Sequence, residues 1–327
     1  MTFGIIGTNF ISDAFVAALP LASSRATAVY SRTWETGAAF AHKHEIAHVF
    51  DDMEAFLSSD LFDAVYVASP NFLHEAQSID ALKHGKHVLC EKPIAPSLDG
   101  FLRMQAVAKR EGRVLMEAMR PHHDTLLRAV KARILPQIGH VHTATLSFCQ
   151  YSSRYDKFLA GTYTNTFDPA LSNAALLDIG IYPVAAAAML FGEPQSVQAE
   201  SVFLPGGFEG EGCLRLTYED AFVTVNYSKI RDDKSPSTLL GERGALLIDK
   251  ISQPARLAYH FHTEEEHIIT RACGTYGNMF EEVLDFIDAI ASGELTPFHR
   301  ESTIALRICD EARRQTGIRF PSDEVTP

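Results

Sequence analysis

The chain has 327 residues, 46% of them hydrophobic and 21% charged, with 20 glycines and 15 prolines spread without a repeat. That is the composition of an ordered globular protein too long for one core, so two domains are expected. Lys and Arg number 29 against 41 Asp and Glu, a formal charge of −12 with the cations scattered, which excludes a nucleic-acid footprint. The longest apolar run, residues 179–191, is too short to span a bilayer and contains Pro183. Cys90, Cys149, Cys213, Cys273 and Cys309 stand far apart with no Cys-x-x-Cys pair, against a disulfide framework or a zinc site. The first strand follows Met1 with no basic leader, so the expected compartment is the cytoplasm, with no metal and no membrane partner.

In chain order, Phe3 to Ile6 is an apolar run ending at Gly7, and a helical pattern with Ile11, Phe15 and Leu19 four apart follows. Strand, tight turn and helix make a place where backbone N–H groups and a helix's positive end can hold a pyrophosphate, which picks out Gly7, Thr8, Asn9, Phe10 and Ile11. Against Gly-x-Gly-x-x-Gly only Gly7 is present; Asn9 and Ser12 replace the later glycines, and Asn9 is expected to tolerate a left-handed backbone there. The strand Ala26 to Tyr30 ends at Ser31-Arg32. An NAD site wants a carboxylate at this point, whereas a 2′-phosphate wants hydroxyls and a guanidinium, so Ser31 and Arg32 point to NADP(H) over NAD(H). Arg32 as a solvated loop residue is the alternative. Trp34 either covers an adenine or packs.

Helices over Trp34 to His44 and Asp52 to Leu57 lead to the apolar strand Phe62 to Ala68, of the buried parallel type. Ser69-Pro70-Asn71 breaks it, and the next helix, Phe72 to His84, carries His74 in its first turn; such a strand-end loop suits a nicotinamide ribose, the alternative being a helix-start histidine without a ligand. The strand Val88 to Cys90 runs into Glu91-Lys92-Pro93, which sets Glu91 and Lys92 where a side chain can reach both cofactor and substrate, on a candidate cis Lys92–Pro93 bond. A helix from Ser97 to about Arg110 and a strand at Val114 to Glu117 complete what the alternation counts as a six-strand doubly wound sheet.

Beyond Arg120 the pattern changes. After a helix at Asp124 to Leu135 come strands with period-two alternation: Val141 to Gln150, Val197 to Phe203, Gly212 to Tyr218, Ala221 to Ser228, Ala245 to Asp249, Ala255 to His260 and His267 to Thr270. They predict one large, mainly antiparallel sheet whose face away from the helices, with Phe148, Phe203, Phe222 and Tyr227, pairs with a second copy. Helices Met279 to Ala291 and Glu301 to Thr316 close the chain. The fold class is thus an N-terminal Rossmann doubly wound parallel sheet (residues 1–120) and a C-terminal α+β domain (residues 121–327) for substrate binding and oligomerisation. Within the latter, Asp178 and Tyr182 are four apart and share a helix face, Gly180 keeps that face low, and Pro183 should kink the helix near Ile179. They read either as a satisfied buried pair or as an acid–base constellation.

Gly-Ile-Ile-Gly-Thr at the start, Ala-Ser-Pro-Asn-x-x-His at 68–74, Glu91-Lys92-Pro93, and Leu-x-Asp178-x-Gly-x-Tyr182-Pro with Leu-Phe-Gly-Glu-Pro after it occur in order. Together they resemble the glucose-fructose oxidoreductase and inositol dehydrogenase (Gfo/Idh/MocA) family over essentially the whole chain. Tyr182 in place of histidine resembles the branch of dimeric dihydrodiol dehydrogenase and NADP-dependent aldose dehydrogenases. The resemblance implies hydride transfer between nicotinamide C4 and a carbinol carbon of a sugar-like or vicinal-diol substrate. Lys92 and Tyr182 would flank the reacting carbon and serve proton transfer and oxyanion stabilisation, with Asp178 orienting the substrate. A nicotinamide-binding sensor without chemistry, or an imine or enone reductase, are the competing readings on the same fold. Arg120, His122, residues 151–163 and Asn173 are the expected pocket walls.

Overall fold

The computed structural model describes residues 1–262, 265–272 and 279–323; Cys273 lies outside them. The chain forms two compact units, residues 1–119 with 274–299, and residues 120–273 with 300–327.

The first unit is built on six strands: β1 (Thr2–Ile6), β2 (Arg25–Tyr30), β3 (His48–Phe50), β4 (Ala64–Val67), β5 (His87–Glu91) and β6 (Leu115–Ala118). They pair in the order β3-β2-β1-β4-β5-β6, every junction parallel. Helices lie between them, and four have a start signal in the sequence: Asn9, Thr33, Asp52 and Ser97 accept amide hydrogens of the first turn that follows. All four residues of β4 are buried, as a strand covered on both faces requires. Tyr66 stacks on Phe15 with ring centroids 3.7 Å apart, and Phe3 meets Phe15 edge-on at 5.4 Å. β3, three residues long and nowhere fully buried, is the strand that no apolar run marks. The helix Met279–Ser292, which the linear reading assigned to the second domain, sends Met279, Val283 and Phe286 into this core; its apolar stripe finds its partner far back in the sequence.

The second unit holds β7 (Val141–Cys149), β8 (Ser196–Phe203), β9 (Glu209–Thr217), β10 (Phe222–Ser228), β11 (Ser237–Gly241), β12 (Gly244–Ile248), β13 (Arg256–Phe261) and β14 (His267–Thr270). Their order is β14-β13-β12-β11-β7-β10-β9-β8, antiparallel except between β7 and β10. β11 was not expected from the sequence. One face is apolar and covered: Ala144, Leu146, Leu214, Val223, Val225, Leu239 and Leu246 are fully buried. The other carries Thr143, Thr145, Thr224, Asn226 and Thr238, with Phe222 and Leu240 about half exposed.

Two expectations are corrected by register. Tyr227 and Phe148 are partners in the β7–β10 ladder and lie on the covered face, not the open one: Tyr227 is fully buried, and Phe148 meets Tyr182 edge-on with centroids 5.6 Å apart. Because strand side chains alternate with period two, the parity shared with Ala144 and Val223 decides this, not hydrophobicity. The expected kink before Pro183 takes the form of a π turn over Leu176–Gly180, after which the α-helix Ile181–Phe191 resumes.

Candidate active site

In the first unit the sheet reverses direction between β1 and β4, and ligands of such sheets bind outside the carboxyl ends of the strands at that point. Gly7 to Ile11 follow β1, Ser31 and Arg32 follow β2, Ser69 to Asn71 follow β4, and Lys92 follows Glu91 at the end of β5. Of the residues expected to hold a nucleotide, all but His74 and Glu91 are therefore on one edge of one sheet.

Gly7 has φ 105°, and a Cβ there would lie 2.5 Å from the Ala68 carbonyl oxygen, so no side chain fits. Asn9 behaves differently from the expectation: its φ is −88°, not left-handed. Its side chain accepts from the Ile11 and Ser12 amides at 3.0 and 3.2 Å and donates to the Ala68 carbonyl at 2.8 Å, tying the β1 turn to the end of β4. Of the helix's open amides this leaves that of Phe10, whose side chain is exposed. Arg32 is exposed, with no ion pair among the described residues, and the Ser69 hydroxyl is buried with no partner among them. A glycine turn without room for a Cβ, an open helix amide, an available guanidinium and an orphaned hydroxyl fit a nicotinamide dinucleotide.

His74 and Glu91 act beneath this edge. The buried imidazole of His74 has Nδ1 2.8 Å from the Pro93 carbonyl and Nε2 2.8 Å from that of Ser69. Burial lowers its pKa, and a neutral ring carries one N–H, so only one contact is a donated bond in that state. Glu91 accepts from the Tyr66 hydroxyl at 2.5 Å and from the Lys92 amide at 3.2 Å, and Glu117 accepts from the Ile94 amide at 2.9 Å. The cis Lys92–Pro93 segment is thus braced from both sides by buried groups.

In the second unit, every residue from Ala174 to Met189 is buried except Asp178 and Tyr182. On its buried side the segment packs close where Gly180 lies against the Tyr227 ring; a Cβ at 180 would be 2.8 Å from it. Two residues that sequence reading missed hold this segment. Lys229, directly after β10 and buried, ion-pairs with Asp178. Glu209, at the start of β9 and also buried, accepts from the Leu176 amide at 2.9 Å and so caps the segment that carries Asp178. A lysine after a strand and a glutamate among glycines give no sequence signal that separates them from surface residues. Of the expected pocket walls, Arg120 donates to Gln253 at 3.1 Å and Asn173 to the Asn165 carbonyl at 2.7 Å; His122 is wholly buried and burial pushes its pKa down to about 3, so it is a neutral core group, not a wall.

Burial raises the Glu209 carboxyl from 4.5 to about 7, partly offset by its bond from Leu176. A folded pKa above the unfolded one contributes stability that is complete below about pH 4.5 and lost as pH rises through about 7, up to about 3 kcal/mol in all. Glu209→Gln is therefore expected to flatten the fall in melting temperature across that window, measured by calorimetry; a slope equal to the wild type's counts against it.

A Rossmann nucleotide-binding edge is what the first unit defines. Family models agree: residues 1–119 match the oxidoreductase family with NAD-binding Rossmann fold, and residues 128–247 the GFO/IDH/MocA C-terminal domain. The chain belongs to the Gfo/Idh/MocA family. It is 41% identical, over 99% of both chains, to scyllo-inositol 2-dehydrogenase (NADP(+)) IolU of Bacillus subtilis (strain 168). It is 24% identical, again over 99% of both, to trans-1,2-dihydrobenzene-1,2-diol dehydrogenase of Mus musculus. Among solved structures, KijD10, a 3-ketoreductase from Actinomadura kijaniata in complex with NADP, superposes with a TM-score of 0.82 at 24% identity over 98% of both chains, a likeness of fold. The chain is a dehydrogenase-type oxidoreductase using a nicotinamide cofactor. No helix among the described residues is long and apolar enough to cross a membrane.

Proposed function

We propose that this enzyme is an NADP(H)-dependent dehydrogenase of a polyol or sugar, moving a hydride between nicotinamide C4 and one carbinol carbon. The observation that carries the reading is the pairing of Asp178 with Tyr182 as the two accessible positions of an otherwise buried stretch. Polar groups spaced along an apolar wall suit a substrate bearing several hydroxyls. The 41% relative, named for a cyclic polyol and NADP(+), weights the substrate toward cyclic polyols rather than the aromatic diols of the 24% relative.

When bound, the nicotinamide accepts or supplies the hydride. Tyr182 takes the hydroxyl proton as the carbonyl forms and returns it in reduction. Lys92 places an ammonium against the oxygen on which negative charge develops. Asp178 accepts hydrogen bonds from neighbouring hydroxyls and so selects which carbon is presented. Ser31 and Arg32 take the 2′-phosphate, and Gly7 to Ile11 the pyrophosphate. Phe222 and Leu240 on the open side of the second sheet form the surface for a second copy.

The test is a panel of inositols, aldoses and vicinal diols with NADP+ and NAD+, followed by nicotinamide absorbance. The expected result is turnover of a cyclic polyol with NADP+ preferred. Reduction of imines or enones alone, or nucleotide binding with no turnover of any member, overturns the reading.

A further inference from the structure

Lys229 is an unusual place to spend a charge. Its side chain is 4% exposed, while that of its partner Asp178 is 33% exposed, so the lysine lies beneath the carboxylate on the protein side. The ammonium also donates to the Thr166 carbonyl at 3.3 Å and faces the rings of Phe167 and Phe208, with centroids at 5.1 and 5.5 Å. These contacts restrict its rotation. Taking an ammonium out of water costs several kcal/mol, and apolar replacement of a buried ion pair is often neutral or stabilising, so stability alone does not account for the pair. What it supplies is geometry. Lys229 joins Asp178 to the Asn165–Phe167 turn, to which Asn173 also donates, and its own carbonyl accepts from the Ser152 amide at 2.9 Å. The carboxylate and the Asn165–Phe167 turn are referenced to one buried side chain, and the Ser152 loop to the backbone of the same residue.

We propose that Lys229 is a positioning residue for hydride transfer: it fixes the Asp178 carboxylate in the orientation that receives substrate hydroxyls. This rests on the polyol dehydrogenase reading above. The ligand touched by Asp178 is a hydroxyl-bearing substrate, and Lys229 acts on it only through Asp178.

The test is a cycle of Asp178→Asn, Lys229→Met and the double variant, assayed with NADP+ and the polyol that the panel identifies. Lys229→Met is expected to lower kcat about tenfold or more, as misplacement of an orienting group does, with KM for NADP+ unchanged. The double variant is expected to match Asp178→Asn within roughly twofold, because a residue acting through Asp178 has nothing left to orient. If Lys229→Met is insoluble, the double variant, from which both charges are gone, is compared with Asp178→Asn directly. Wild-type kcat in Lys229→Met, or losses that multiply in the double variant, overturns the proposal while leaving the dehydrogenase reading in place. Wild-type kcat in Asp178→Asn, or no polyol turnover at all, removes the reading and this proposal with it.

Discussion

Tyr182→Phe and Lys92→Ala are each expected to lower kcat by about 10²-fold or more, the range for loss of an acid–base or charge-stabilising group. The substitutions are clean. Tyr182→Phe removes one hydroxyl and keeps the ring that meets Phe148 edge-on, so packing against β7 persists. Lys92→Ala leaves a backbone held independently of the side chain, by the Ile94–Glu117 bond at 2.9 Å and by His74 against the Pro93 carbonyl at 2.8 Å. Nucleotide affinity, read by titrating NADPH fluorescence, should stay close to the wild type in Tyr182→Phe. Equal losses in kcat and kcat/KM would mark interactions made only in the transition state. Steady-state rates at saturating substrate decide the matter: if both variants keep wild-type turnover, neither residue belongs to the chemistry.

The second large effect concerns the cofactor. Arg32→Asp should lower the preference for NADP+ over NAD+, measured as the ratio of kcat/KM values, by about 10²-fold. A hydrogen bond to a charged group contributes about 1.5–3 kcal/mol, tenfold for each 1.4 kcal/mol, and the new carboxylate adds repulsion of the 2′-phosphate while offering an acceptor to the ribose hydroxyl of NAD+. The fold should not notice. Arg32 is exposed, and the helix that follows is capped by Thr33, which accepts from the Thr36 amide. An unchanged ratio would detach Arg32 from cofactor choice and leave its exposed side chain an ordinary surface group.

The sequence by itself determined the parts of the fold that are written in short-range period. Continuous apolar runs such as residues 64–67 and 88–90 announce strands covered on both faces, and capping residues at Thr33, Asp52 and Ser97 mark where helices begin. The same local signals placed Gly7, Arg32, Ser69 and Lys92 after strands, hence on one sheet edge, since parallel strands all end on the same side. They also singled out Asp178 and Tyr182, the two positions that are not buried between Ala174 and Met189.

Only the tertiary structure decided the pairs that meet across long separations. Lys229 reaches Asp178 across 51 positions, and Glu209 reaches Leu176 across 33; neither partner has a local pattern that names the other. The faces of Phe148 and Tyr227 followed from strand register, which moves every side chain to the opposite face with a one-residue slip. The role of Asn9 followed from the Ala68 carbonyl, which made it a cap and a tie instead of a left-handed turn residue. Helix and strand periods report which face of an element is buried, but what lies against that face depends on loop closure and sheet order, and these carry no signature within a window of a few residues.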